Sequence, residues 1–387
     1  MLQPWIDERK QDIETLLKEL VEINTYTANT AGVDRGMDTL SRVAQQMGFT
    51  VEAINGRHRL IRNAKAHGNK RVLLISHMDT VFPPDGDFLH YEVLEDGFVR
   101  GPGVGDIKGG LVMGLYAMLA LKELYDDYDV QMIVSADEEK GSPTIRDWYM
   151  GGHVGANWAI GLEPGFPQGQ LSATVPLGVV RQRRGYGAFL FKITGLASHS
   201  GTPHLGLNAL EAAAQRIVRI HALNQWDKGI STNVGMLNGG ISPNTVPGEV
   251  TGAVSFRYET LLDGENTRDA VEQILTATYL KNEEMGVVDQ AEVTLDAFIP
   301  PMEHTPENQK LVDIVLQEAE KLGHHVVPIA RGGGSDANFT SAAGTPSICG
   351  MGAPAHGIHT TEEMIHLPMM MNRINLLAST IYRLVSE

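Results

Sequence analysis

The chain has 387 residues, of which 42% are hydrophobic and 20% charged, and a formal net charge of −16. A single hydrophobic core rarely sustains that length, so two domains are expected, and no apolar run approaches the ~20 residues of a membrane-spanning helix. The acidic balance opposes general binding to nucleic-acid backbones, and the one cysteine, Cys349, excludes an internal disulfide and any multi-thiolate metal centre.

The first 24 residues lack a basic start followed by an apolar block, and the spacing of Ile6, Ile13, Leu17, Leu20 and Val21 predicts an amphipathic helix near 5–22. No secretory signal is therefore expected, and a cytoplasmic location is the default. Next come a helix near 36–47 closed by Gly48, strands at 50–54, 59–64 and 72–76, a helix at about 108–124, and strands at 130–135 and 158–161. This alternation indicates an α/β fold with a mixed, largely parallel sheet flanked by helices.

The texture changes near residue 182. Strand, helix, two strands, a helix near 265–282 and a final strand follow in the order of a ferredoxin-like α+β unit. The α/β texture resumes with a helix at 306–322, a strand at 325–329, the glycine loop RGGGSDAN, a strand at 347–349 and a C-terminal helix from about 368. Residues 1–181 and 296–387 are thus expected to form one domain and 182–295 an inserted one.

Between Leu73 and Glu163 four apolar or glycine-rich stretches run into His or acidic residues: LLISHMD, GPGVGD, MIVSADEE and WAIGLEP. Ligand-type residues at the carboxyl ends of strands point to a metal site. Any one of them alone reads equally well as a solvated turn. His77 ends an apolar strand, and Asp79 can accept its other ring N–H, the support that metal-binding histidines commonly have. Asp106 lies between a glycine loop and a helix, and neither dinucleotide nor P-loop spacing can be aligned there. Glu138 and Glu139 are adjacent at a strand end, so one can bind metal while the other acts as a base. Glu163 supplies a further oxygen.

SHMDTV, GPGVGDIKGG, SADEEKGS, GLEPG, ASHSGTPHLGLNAL, GGGSDAN and GIHTTEE together, in this order, resemble the M20 family of metallopeptidases and amidohydrolases, and most of all its glutamate carboxypeptidase branch. The resemblance implies two zinc ions bridged by Asp106, one also held by His77 and Glu163 and the other by Glu139 and His359, with Glu138 as general base. Ligands of this N and O type also admit Co²⁺ or Mn²⁺. Spacing alone leaves His356 and His359 open, and the family pattern favours His359. His199, in ASHSGTP, matches a histidine that crosses a dimer to stabilise the oxyanion. Asn244 and Arg257 match substrate-binding positions, although Ser255 replaces the Asp that usually precedes the Arg by two. The amides of Gly332, Gly333 and Gly334 form a candidate carboxylate nest. The resemblance also implies a cis Asp106–Ile107 peptide and a homodimer through the inserted domain.

The expected activity is hydrolysis of an amide bond that frees a C-terminal, acidic amino acid from a small peptide or N-acyl conjugate. An N-acyl-amino-acid deacylase of the acetylornithine or succinyl-diaminopimelate type is the nearest alternative, and a non-catalytic metal-dependent binding protein the alternative of another class. Neither nucleic acid nor a membrane is an expected partner.

Overall fold

The computed structural model describes residues 2–152, 155–172 and 174–386. Two compact units divide the chain: Met1–Gln182 with His304–Arg331 and Ser335–Glu387, and Arg183–Glu303 with Gly332–Gly334.

The first unit is built on a six-stranded sheet. Strands β1 (Phe49–Ile54), β2 (His58–Asn63), β3 (His67–His77), β4 (Tyr128–Ser135) and β5 (Trp158–Gly161) lie in the order β1-β2-β4-β3-β5, and the short strand Ser347–Ile348 extends the β5 edge. β3 runs parallel to both β4 and β5, and the outer β1–β2 and β2–β4 pairs are antiparallel. The mixed, largely parallel α/β sheet is therefore present. β3 ends on six buried residues, the reading of a strand covered on both faces.

Helix Gly110–Leu124 is buried throughout Gly110–Leu121. With the turn before it, Val104–Leu124, it forms a 21-residue stretch long and apolar enough to cross a membrane by length and composition, against the sequence expectation, yet its apolar window is wholly buried in the fold. A helix that is apolar all round is what the middle of a large core requires.

The helix expected near 36–47 begins earlier, at Thr30, where the Asn29 side chain accepts the amide of Gly32 and caps it. The glycines of its first turns serve close packing. A Cβ on Gly36 would lie 2.7 Å from Sδ of Met78, the residue between His77 and Asp79. The helix expected near 265–282 likewise spans Leu261–Thr276, capped by the Thr260 side chain. Strand Leu177–Arg183, which sequence reading missed, pairs with Phe166–Pro167 and Val326–Arg331.

The second unit has the βαββαβ order: β6 (Gly185–Thr194), helix Ala209–His221, β7 (Ser231–Gly239), β8 (Glu249–Tyr258), helix Leu261–Thr276 and β9 (Gln290–Ile299). The sheet is antiparallel in the order β7-β8-β6-β9, the ferredoxin-like arrangement. Phe189, Phe191, Ile193, Val250, Val254 and Phe256 pack against both helices in this unit's own core.

The expected boundary at 295 would cut β9, which pairs with β6 as far as Ile299 opposite Tyr186; the unit instead runs to Glu303. Gly332–Gly334 joins it because the carbonyls of Gly333 and Gly334 accept from Arg183, and that of Gly332 from Arg257.

Candidate metal centre and active site

Three adjacent parallel strands deliver the site. His77 closes β3 opposite Ser135, the last residue of β4, while Gly161 at the end of β5 pairs with Ile75. Glu138 and Glu139 follow β4 by three and four residues, and Glu163 follows β5 by two. Asp106 comes from the turn Val104–Gly109 that leads into helix Gly110–Leu124, and its peptide to Ile107 is cis. His359 comes from the loop between Ala355–His356 and Met364–His366, with a left-handed φ of 62°. Such a conformation costs a non-glycine residue roughly 1–3 kcal/mol and tends to occur at functional sites.

Asp106 faces two histidines with different oxygens. Its Oδ1 lies 3.3 Å from His77 Nε2, and its Oδ2 lies 3.2 Å from His359 Nε2. Glu163 Oε1 lies 3.7 Å from His77 Nε2, and Glu139 Oε2 lies 3.4 Å from His359 Nε2. Two donor sets result, His77–Asp106–Glu163 and Asp106–Glu139–His359, each with all its ligand atoms within 4.8 Å of one another. A third set of the same tightness, His77–Glu138–Glu139, brings Glu138 beside them, with Oε2 3.8 Å from His77 Nε2. His356 sits on a strand opposite Met364 and belongs to none of these sets.

The donor atoms fit metal ions. His77 Nε2, Asp106 Oδ1 and Glu139 Oε1 are buried without a hydrogen-bond partner. Buried polar atoms are nearly always paired, and here three orphans point into one cluster of imidazole and carboxylate, the donor chemistry that suits zinc and its neighbours.

Charge follows the same geometry. Burial pulls the His77 imidazole down, but the nearby carboxylates of Asp106 and Asp79 and the charges of Glu138 and Glu163 hold it well above its ordinary value. The contacts of His359 with Asp106 and Glu139 raise it to about 11. Burial pushes Asp106 up, yet His359 and His77 hold it far below the usual carboxylate range. Glu138 is raised well above that range, by burial first and then by Glu163, Asp336 and Glu139, with His77 opposing. A carboxyl held high beside metal donors is suited to accepting and returning a proton.

Asp79 does more than sequence reading assigned to it. The Nδ1 of His77 bonds the backbone carbonyl of Asp79 at 2.9 Å, with the Asp79 carboxylate 3.4 Å away. That carboxylate instead accepts the amides of Glu138 and Glu139, at 3.0 and 3.2 Å, and the hydroxyl of Thr27 at 2.8 Å. It orients the histidine mainly through its backbone and the two glutamates through its side chain.

Two further carboxylates escaped sequence reading. Asp336, in GGGSDAN, accepts from Ser135 at 2.7 Å, Tyr149 at 3.0 Å and Ser142, and so fixes both ends of the turn that carries Glu138. Glu363 is fully buried and accepts the amides of Gly105 and Asp106 at 2.8 and 2.9 Å, with that of Gly103 at 3.4 Å. The only signals were a lone acid after a glycine run and the second Glu of GIHTTEE.

Two glycines set the position of Glu163. A Cβ on Gly110 would lie 2.1 Å from the carbonyl oxygen of Leu162, and one on Gly352 would lie 2.0 Å from the same atom. No side chain fits at either position.

In the second unit, His199 and Thr245 pair across a two-stranded ribbon, and the carbonyl of the adjacent Asn244 accepts the amide of Ser200. His199 Nδ1 accepts the amide of Gly201 at 3.0 Å, so a neutral ring carries its proton on Nε2. Arg257 lies over the Tyr186 ring at 4.3 Å and donates to the Gly332 carbonyl at 3.3 Å; these contacts orient it where Ser255 cannot. The Gly332–Gly334 carbonyls turn toward arginines, and Cβ atoms at Gly332 and Gly333 would meet nothing within 4 Å.

A metal-dependent hydrolase is the class of protein that this fold and donor cluster define. The chain belongs to peptidase family M20/M25/M40, whose profile matches residues 73–383. It is 28% identical to carboxypeptidase G2 of Pseudomonas sp. (strain RS-16), covering 98% of this chain and 91% of that protein. It is 27% identical to succinyl-diaminopimelate desuccinylase of Ectopseudomonas mendocina (strain ymp), covering 91% and 92%. Among solved structures, aminopeptidase PepT from Bacillus cereus shares its fold, with a TM-score of 0.79, 22% identity, and coverage of 98% and 99%. The protein is thus a metallopeptidase-family hydrolase of amide bonds.

Proposed function

We propose that this chain is a two-metal carboxypeptidase that releases a C-terminal, acidic amino acid from a small peptide or N-acyl conjugate. The observation that carries this reading is Asp106, whose two oxygens face His77 and His359 separately, at 3.3 and 3.2 Å, as a bridging carboxylate must. His77 and Glu163 would complete one metal site, and Glu139 and His359 the other; zinc suits this donor set, and Co²⁺ or Mn²⁺ are admitted by it. Metal ions held there would polarise the scissile carbonyl and acidify a water molecule.

Glu138 takes the proton from that water as its oxygen bonds to the carbonyl carbon. It then delivers the proton to the amide nitrogen as the C–N bond breaks, so the amino acid leaves as a neutral amine. The Nε2–H of His199, contributed by a second copy of the chain paired through the ferredoxin-like unit, would donate to the oxyanion. Arg257, Asn244 and the Gly332–Gly334 loop would bind the substrate's free α-carboxylate. The similarity to carboxypeptidase G2 supports this assignment. Similarity to a desuccinylase at 27% identity supports a second reading, deacylation of a short N-acyl amino acid.

The test is turnover of acetyl-, succinyl-, benzoyl- and aminoacyl-glutamates after chelation and re-addition of zinc, cobalt or manganese. Carboxypeptidase action gives metal-restored release of glutamate from the benzoyl and aminoacyl substrates. Turnover confined to the acetyl or succinyl substrates favours the deacylase, and equal turnover of substrates whose α-carboxylate is amidated would overturn the carboxylate-binding role.

A further inference from the structure

The C-terminal helix, Leu367–Ser386, lines a cavity of about 200 Å³ with Met369, Asn372, Arg373 and Leu376, residues one helical face apart. His324 and His325, just beyond helix Pro306–Lys321, line it too, and no Asp or Glu does. In a chain of net charge −16 this is a basic enclosure.

Arg373 is 3% exposed. Its Nε donates to the Gly352 carbonyl at 3.0 Å and its Nη2 to the Gly350 carbonyl at 2.8 Å, while Nη1 has no hydrogen-bond partner among the described residues. It forms no ion pair among them either. Glu318, on the preceding helix, is already engaged by Lys321 at 2.7 Å and Arg383 at 3.1 Å. A buried guanidinium without a counter-charge is costly. His324 lies close enough to share the effect, since its imidazole is held below its ordinary value by burial and then by the Arg373 charge.

We propose that this cavity binds a small oxyanion of the phosphate or carboxylate class. Arg373 supplies the charge, and His324 and Asn372, which line the cavity with it, supply donors. The space is smaller than the ~300–1,000 Å³ of an ordinary organic-ligand pocket, which favours an inorganic or very short anion. Gly352, held by Arg373, donates its amide to the carbonyl of Glu163 at 2.9 Å, so one residue links the cavity to the segment that carries Glu163.

The experiment is calorimetric titration of the metal-loaded enzyme with inorganic phosphate, and separately acetate, at constant ionic strength, for wild type and for the His324→Ala/Asn372→Ala double variant. Both substitutions lie outside the active site, so anion binding at the metals stays equal in the two proteins. The proposal expects a saturable site in wild type that weakens by roughly a hundredfold or more in the double variant, the loss of two charge-supported hydrogen bonds. Binding of phosphate alone assigns a tetrahedral oxyanion, and binding of acetate as well assigns the site to oxyanions generally. Identical isotherms in the two proteins, or no saturable binding of either anion, would overturn it.

Discussion

The carboxylate of Glu363 accepts the backbone amide of Asp106 directly, at 2.9 Å. One buried acid thus grips the loop that presents the carboxylate shared by both donor sets. Burial pushes Glu363 up to about 8, with the Asp106 charge adding to the effect and the three backbone amides opposing it. Lys108 braces the same loop through the carbonyls of Ile23 and Pro102, at 3.1 and 3.3 Å.

Replacing Glu363 by Gln keeps the volume but turns one acceptor into a donor against backbone N–H groups. Metal affinity should fall about 10–100-fold, the usual effect of losing a group that orients a ligand. Competition with a chromophoric chelator measures it. Unchanged affinity would mean that the loop holds its shape without this carboxylate.

Gly110→Ala tests the other strand end. The added methyl would meet the Leu162 carbonyl oxygen at 2.1 Å, a backbone atom that can move only by displacing Glu163. Alanine ordinarily gains about 1 kcal/mol over glycine inside a helix, so a net loss of stability, with one metal equivalent lost on dialysis, separates the clash from helix propensity. Denaturant unfolding and metal analysis together read both effects.

Much of this was legible in sequence because the same residues both shape the backbone and do the chemistry. His77 closes a buried strand and Glu138, Glu139 and Glu163 follow one, and a strand end can be seen in an apolar run. Asp336 and Glu363 could not be found that way, since their roles are set by partners 201 and 257 residues distant, Ser135 and Asp106. Asp79 was read as a carboxylate partner of His77, but its side chain serves the glutamate turn, a contact across 59 residues. The helix start at Thr30 was hidden for a different reason: Gly32 is a weak helix former, and its close packing against Asn24 shows only in the fold.

The second unit contains a buried ion pair. Arg216 and Asp289 are 1% and 0% exposed and 2.5 Å apart, and Asp289 also accepts the amides of Tyr279 and Leu280. Asp289→Ala leaves a buried guanidinium without its counter-charge and should cost about 3–5 kcal/mol. Urea unfolding followed by tryptophan fluorescence, in which Trp226 reports on this unit, measures the loss.

Proton release accompanies metal uptake. In the metal-free protein His359, raised to about 11, carries a proton at neutral pH, and the carboxylates around His77 favour its charged form as well. A coordinating imidazole must be neutral, so uptake expels those protons and apparent affinity rises with pH toward about 11. The stability that His359 gains from Asp106 and Glu139 has the opposite trend. A raised imidazole stabilises the folded state fully below its unfolded value near 6.5, and that contribution is lost as pH climbs through about 11. Calorimetry in two buffers of different ionisation enthalpy counts the protons, and the melting-temperature gap between metal-free wild type and His359→Gln should shrink over that alkaline window.

The base proposed above, Glu138, can be tested apart from its neighbours. Asp79 holds its amide at 3.0 Å, and burial with the surrounding carboxylates raises its side chain above the usual carboxylate range, with His77 opposing. Glu138→Gln preserves shape and the backbone contact but removes the basic oxygen. Turnover should fall about 10²–10⁴-fold, the ordinary contribution of a general base. Because His77, Asp106, Glu139, Glu163 and His359 are untouched, two metal equivalents should remain and KM should change little. Steady-state kinetics with metal analysis on the same sample decide the matter: loss of one metal would make Glu138 a ligand, as the His77–Glu138–Glu139 set allows, and retained metal with near-normal turnover would assign the proton transfer to another group.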